Sequence, residues 1–143
     1  MGNPTKVVYT ATASAKGGRE GHVRSSDGVL DVDLKVPKEM GGPGGNGTNP
    51  EQLFAAGYSA CFESAVRHVA RDKKIVIKEA SVTAHVGIGP RDPIGYAIAV
   101  KLEVSLPGLD RAVAQDLMDT AHRDMCPYSH ATRGNVDIQL SLV

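Results

Sequence analysis

The chain has 143 residues, with 16 Lys+Arg against 16 Asp+Glu, so length suggests one domain over residues 1–143 and the balanced charge argues against a general binder of nucleic acid or anionic membrane. No run of about 18 uncharged apolar residues is available to span a membrane. The first residues, Met1 to Lys6, lack an apolar signal core, so a cytoplasmic protein is expected, in which two distant cysteines are free or catalytic rather than a permanent staple.

In chain order, residues 7–13 are β-rich and predict a first strand. Gly17-Gly18 then reads as a hairpin turn, residues 19–25 as a second strand, and Ser26-Asp27-Gly28 as the next turn. Leu30, Val32, Leu34 and Val36 alternate with Asp31, Asp33 and Lys35, the clearest half-buried strand in the sequence. Residues 40–48 are glycine-rich, but no Lys-Ser/Thr follows the glycines and no strand feeds directly into them. A closely packed or flexible connection is expected there, not a phosphate cradle.

A long helix begins at Asn49, with Asn49 as cap, Pro50 at the first helical position and Glu51 on the positive end of the dipole. From Leu53 to Val66 only Glu63 is charged, which marks a buried central helix. Ala56, Ala60 and Ser64 form a small stripe with Gly57 beside it, suited to close approach of another backbone. Cys61 lies in the middle. Residues 75–88 and 94–106 predict two further strands joined by a loop rich in Gly and Pro. Asp110 caps a second helix, which should end near Cys126 because Pro127 disfavours helical geometry at the preceding residue. Residues 135–143 alternate and form the last strand. The order is βββ-α-ββ-α-β, an α+β class with mostly antiparallel sheet around the buried helix.

Two thiols dominate the candidate chemistry. A buried Cys is ordinarily an inert small hydrophobe, and a mid-helix Cys61 fits that. Cys126 sits at a helix C-terminus, where the dipole opposes a thiolate. Neither is activated by its neighbours in sequence, so a cation must come from elsewhere; Arg19 is a candidate, against the plainer reading of a solvated turn residue. His122, Cys126 and His130, spaced by four, are a rival zinc set, weakened by Pro127 and by the lack of any CxxC or HExxH.

The stretch Asn49-Pro50-Glu51-Gln52-Leu53-Phe54-Ala55-Ala56-Gly57-Tyr58-Ser59-Ala60-Cys61-Phe62 resembles the first signature of the organic hydroperoxide resistance (Ohr) family, within the Ohr/OsmC superfamily. Cys126-Pro127-Tyr128-Ser129-His130-Ala131-Thr132-Arg133-Gly134-Asn135 resembles the second, and Gly17-Gly18-Arg19, Ser25-Ser26-Asp27-Gly28 and the Gly41-to-Thr48 loop are also similar. Only Met125, where a small β-branched residue is more usual, departs slightly.

The resemblance implies an OsmC/Ohr-like fold with antiparallel sheets wrapping the central helix in an intertwined homodimer. It implies a cysteine peroxidase for organic hydroperoxides, including those of fatty acids, without metal or haem. Cys61 matches the peroxidatic and Cys126 the resolving cysteine, with Arg19 and Glu51 activating and positioning the thiolate. The disulfide is reduced by a lipoyl group on a partner protein. Glu51 and Cys61 are ten positions apart, about 15 Å along a straight helix, so the Arg19 and Glu51 serving one Cys61 are expected from the partner chain. A thiol redox sensor and an apolar small-ligand binding protein are the alternative functions.

Overall fold

The computed structural model describes residues 2–143. They fall into two compact units that meet in sequence between Leu53 and Phe54.

The first unit carries three short strands, β1 (Ala13–Lys16), β2 (His22–Ser25) and β3 (Asp31–Asp33), paired antiparallel in that order. The expected turn after β1 is present. Gly17 and Gly18 take φ of 79° and 56°, and a Cβ on Gly21 would lie 1.7 Å from the Lys16 carbonyl oxygen. That crowding leads into a 3-10 turn, Gly18–Glu20, which holds Arg19. The alternation around β3 is found in its middle part, with Val32 half-buried between exposed Asp31 and Asp33 and Leu34 buried after them, whereas Leu30 is 38 % exposed. The first strand starts later than expected. Residues 7–12 form no strand in their own chain, and Val8 (89 %) and Tyr9 (78 %) are exposed. High β-propensity yields a strand only against a neighbouring strand.

The glycine-rich stretch folds back on β3's continuation. A Cβ on Gly42 would meet the Val36 carbonyl oxygen at 2.3 Å, and one on Gly47 the Lys35 Cγ at 2.6 Å. This is the closely packed connection foreseen. Thr48 then pairs with the chain beside Leu34, its N–H donating to Asp33 O at 2.8 Å and its carbonyl accepting from Lys35 N at 2.9 Å. The anchored segment delivers Asn49, whose Oδ1 accepts from Gln52 N at 2.8 Å, as a helix cap.

Helix α1 (Pro50–Asp72) starts there. Its buried residues Tyr58, Phe62, Ala65, Val66, Val69 and Ala70 recur at helical spacing along one face. The small residues Ala56, Ala60 and Ser64 lie on the opposite side and are exposed in the single chain.

The rest of the second unit is a long hairpin, β4 (Ser81–Pro90) and β5 (Tyr96–Ser105), then α2 (Arg111–Thr120), and later β6 (Ile138–Leu142). Val100, Leu102 and Val104 of β5 are buried with α1 and with Ala114, Leu117 and Met118 of α2 in one apolar core. Three details differ from expectation. β6 pairs parallel to β5, with Leu102 opposite Leu140, because α2 and the residues between it and β6 form a crossover long enough to bring the chain back in the same direction. Asp110 stands at the N-cap of α2 but makes no capping hydrogen bond. And the second helix does not simply stop at Cys126: a π turn, Ala121–Met125, and a further helix, α3 (Pro127–Thr132), come after it. Among the described residues, no helix is long and apolar enough to cross a membrane.

Candidate active site

Cys61 lies midway along α1 and Cys126 between the π turn and α3, and both are free thiols. Their Sγ atoms are 3.8 Å apart, in contact. The two residues are 65 positions apart in sequence; folding makes them neighbours.

The turn that presents Cys126 explains the placement. The Cys126 N–H donates to Ala121 O at 2.8 Å, the i→i+5 bond that defines the π turn. Cys126 itself has extended geometry (φ −74°, ψ 119°), as expected before a proline. Pro127 then occupies the first position of α3, where its missing N–H costs nothing. Pro127 thus starts a helix as well as ending one, and Cys126 is the N-cap of α3: its sulfur accepts from Ser129 N at 3.5 Å. The expectation that only an opposing C-terminal dipole acts on this thiol is corrected accordingly.

Cys126 is 1 % exposed and Cys61 half-buried. Burial pushes the Cys61 thiol up to about 11; the neighbouring Cys126 adds to the rise, and the Tyr128 backbone N–H opposes it more weakly. Within the second unit no cation offsets this.

Aromatic rings crowd the same region. Tyr128 lies 5.9 Å from Phe54 and 5.6 Å from Tyr58 between ring centroids, and Phe62 lies 6.4 Å from both Tyr58 and His122. Gly57, one turn before Cys61, is what admits Tyr128: a Cβ there would sit 2.8 Å from the Tyr128 hydroxyl oxygen. The small position on α1 therefore receives a side chain, not another backbone, in its own chain. Gly57→Ala should leave the melting temperature nearly unchanged, since a gain of about 1 kcal/mol in helix propensity offsets the crowding. The displaced Tyr128 should slow closure of the Cys61–Cys126 disulfide severalfold, measured by timed thiol alkylation after adding diamide.

Arg19 and Glu51 meet in the first unit. Arg19 Nη1 and Nη2 donate to Glu51 Oε2 and Oε1 at 2.7 and 2.6 Å, a two-pronged ion pair. The guanidinium holds the Glu51 carboxyl below its usual range, and Glu51 holds Arg19 above its own. The pair is therefore fully formed at neutral pH and is lost only as acid protonates Glu51. Glu51, in the first turn of α1, is the better buried of the two.

The rival zinc set does not converge. His122 Nδ1 is hydrogen-bonded to Ser129 Oγ at 2.8 Å, His130 is exposed beside Arg133, and among the described residues no three His, Cys, Asp or Glu side chains are grouped to hold a metal ion.

Residues 42–141 match the family model described as OsmC-like protein. The chain is 54 % identical over 143 residues to an organic hydroperoxide resistance protein of Xanthomonas axonopodis pv. citri (strain 306), covering 99 % of each chain. The chain belongs to the Ohr group of the OsmC-like family. Solved Ohr structures agree in fold. That of Legionella pneumophila superposes with a TM-score of 0.91 at 50 % identity, over 96 % of this chain and 98 % of that one. OhrB of Bacillus subtilis gives 0.87 at 46 % identity, over 96 % and 100 %.

Sequence reasoning did not find Tyr58, His122, Tyr128 and Ser129 as parts of this Ohr site. Tyr58 and Ser129 are both fully buried and share a 2.8 Å hydrogen bond. The available signals were a hydroxyl-bearing aromatic on an otherwise apolar helix face, and a Cys-Pro step that can open a helix.

Proposed function

We propose that the chain is a cysteine peroxidase that reduces organic hydroperoxides to alcohols. Membership of the Ohr group supports a role in organic hydroperoxide detoxification. The observation that carries the cysteine mechanism is the contact of two free thiols, one buried and one reachable, beside aromatic rings that suit an alkyl-bearing substrate.

The Cys61 thiolate attacks the outer peroxide oxygen, the O–O bond breaks, and the alkoxide leaves as alcohol after taking up a proton. Cys61 becomes a sulfenic acid. Cys126 condenses with it, giving a disulfide and water. An external dithiol of the lipoyl class, carried on a partner protein, reduces the disulfide by exchange. No metal, haem or resident cofactor takes part.

Because burial alone holds Cys61 as a thiol, the thiolate needs a cation. Arg19, fixed by Glu51, is that cation, and it reaches Cys61 from the second copy in a homodimer, since Glu51 lies about 15 Å from Cys61 along α1. The exposed stretch around Val8 and Tyr9 and the exposed small stripe of α1 support such a dimer. A working thiol pair suits the reducing cytoplasm.

The test is turnover of cumene hydroperoxide with dihydrolipoamide as reductant. Sustained consumption supports the reading. Oxidation of the thiols without turnover would indicate a redox sensor, and thiols left untouched would indicate a small-ligand binding protein; either overturns it.

A further inference from the structure

We propose that His122, acting through Ser129, is a positioning residue for the step that joins Cys61 to Cys126. This rests on the peroxidase reading above but is argued from a separate set of contacts.

The Ser129 amide donates to the Cys126 sulfur at 3.5 Å, and that sulfur lies 3.8 Å from Cys61 Sγ. The relative placement of the thiols therefore depends on how this one turn is held. The Ser129 side chain holds it. Its hydroxyl is buried and shared between Tyr58 Oη and His122 Nδ1, both at 2.8 Å. Tyr58 stands three residues before Cys61 on α1, so that bond ties the Cys126 turn to the helix bearing the other thiol. His122 ties the same hydroxyl to the π turn on the upstream side. The backbone that carries His122 is itself braced, because Arg133 Nη2 donates to the His122 carbonyl at 2.6 Å.

Tyr58 does not need His122 for its own satisfaction, since Ser129 already partners it. Thr132 Oγ1 is a second, longer partner for Tyr58 Oη at 3.5 Å, while its own proton goes to Tyr128 O at 2.9 Å. A connected polar trio in an apolar core fixes one arrangement of the groups around it.

The S–O bond of the Cys61 sulfenic acid breaks, the S–S bond forms, and the Cys126 thiol proton leaves with the hydroxyl as water. The competing event is attack of the Cys61 sulfenic acid on a second hydroperoxide, giving sulfinic acid and another alcohol.

The test is His122→Leu in the full chain, with reduced protein mixed with excess cumene hydroperoxide and the products followed by timed alkylation and intact mass. Closure should slow about tenfold, as for loss of one buried hydrogen bond. Initial oxidation of Cys61 should slow much less, and the two-oxygen adduct should accumulate. Ser129→Ala should repeat the pattern. His122→Asn, which places a polar atom near Nδ1, should restore most of the closure rate. Closure unchanged in both His122→Leu and Ser129→Ala overturns the proposal, as does equal slowing of both steps, or no recovery in an Asn variant that melts like wild type. Diamide closes the same disulfide without peroxide. Slow diamide closure in His122→Leu, with wild type inert to hydroperoxide, would keep the positioning role and remove the peroxidase; normal diamide closure would remove the positioning role.

Discussion

Cys61→Ser should reduce hydroperoxide turnover to background, whereas Cys126→Ser, when no dithiol is present, should rapidly consume one equivalent of cumene hydroperoxide per chain, then only a slow second one by over-oxidation, without turning over. The asymmetry follows from chemistry. A serine hydroxyl at 61 does not ionise near neutrality and cannot take up and hand on the peroxide oxygen, so the first bond change is lost. At 126 the first step survives, because the attacking sulfur is intact. What is missing is the second sulfur, now 3.8 Å from Cys61, which needs an approach of roughly 1.8 Å to reach disulfide bonding distance. Intact mass should show one added oxygen in Cys126→Ser at stoichiometric peroxide and two at excess, as sulfenic acid passes to sulfinic. Normal turnover in Cys61→Ser would refute the whole scheme. A disulfide-linked or unoxidised Cys126→Ser chain would refute the assignment of the resolving role.

How much of this was legible in the sequence depends on the range of the interaction. Local chemistry was readable. Asn49, Pro50 and Glu51 announce the start of α1, and the cap is made as expected. The alternation around Val32 and Leu34 gives the burial of the third strand, and Gly17-Gly18 gives the turn. Features that depend on a partner were not. Residues 7–11 have the composition of a strand but belong to no strand pair among the described residues, and only at Thr12, whose carbonyl accepts from Ser26 N at 2.8 Å, does the chain join its neighbour. The parallel pairing of β6 leaves no mark on its period-2 pattern, because periodicity records which face is buried and not chain direction. Pro127 reads as a stop in the sequence; that it also opens α3, with Cys126 as cap, depends on the π turn that precedes it.

The candidate site divides in the same way. Arg19 and Glu51 are 32 positions apart, and nothing in their spacing predicts the two-pronged pair. The family resemblance named them. The thiol contact likewise required the fold, and the Tyr58–Ser129–His122 trio was invisible because each residue has an ordinary role when read alone.

Arg19→Ala should change both the rate of Cys61 oxidation and its pH dependence. Burial holds the Cys61 thiol at about 11 when no cation acts on it. With that value only about one chain in 10,000 carries a thiolate at pH 7. Lowering it toward the neutral range takes about 1.36 kcal/mol for each pH unit. In the proposed dimer, a guanidinium donating to the sulfur and locked in place by Glu51 would supply the strong charge-assisted contact. The loss on removing it is smaller than the loss in thiolate, because a more basic thiolate is a better nucleophile; with a Brønsted slope near 0.4–0.5 the net slowing is roughly 100-fold. The two proteins differ in slope, not in sign, in the alkaline range. The thiolate is the reactive form, so in Arg19→Ala the rate should climb about tenfold per unit from pH 7 toward 11, whereas wild type should flatten once pH passes its lowered thiol value. Arg19→Lys keeps the charge but loses the fork that engages both Glu51 oxygens, and should fall between the two. Stopped-flow oxidation by cumene hydroperoxide across this range reads all three. A flat profile and an unchanged rate in Arg19→Ala would mean that the Arg19–Glu51 pair is architecture only, and that another cation ionises Cys61.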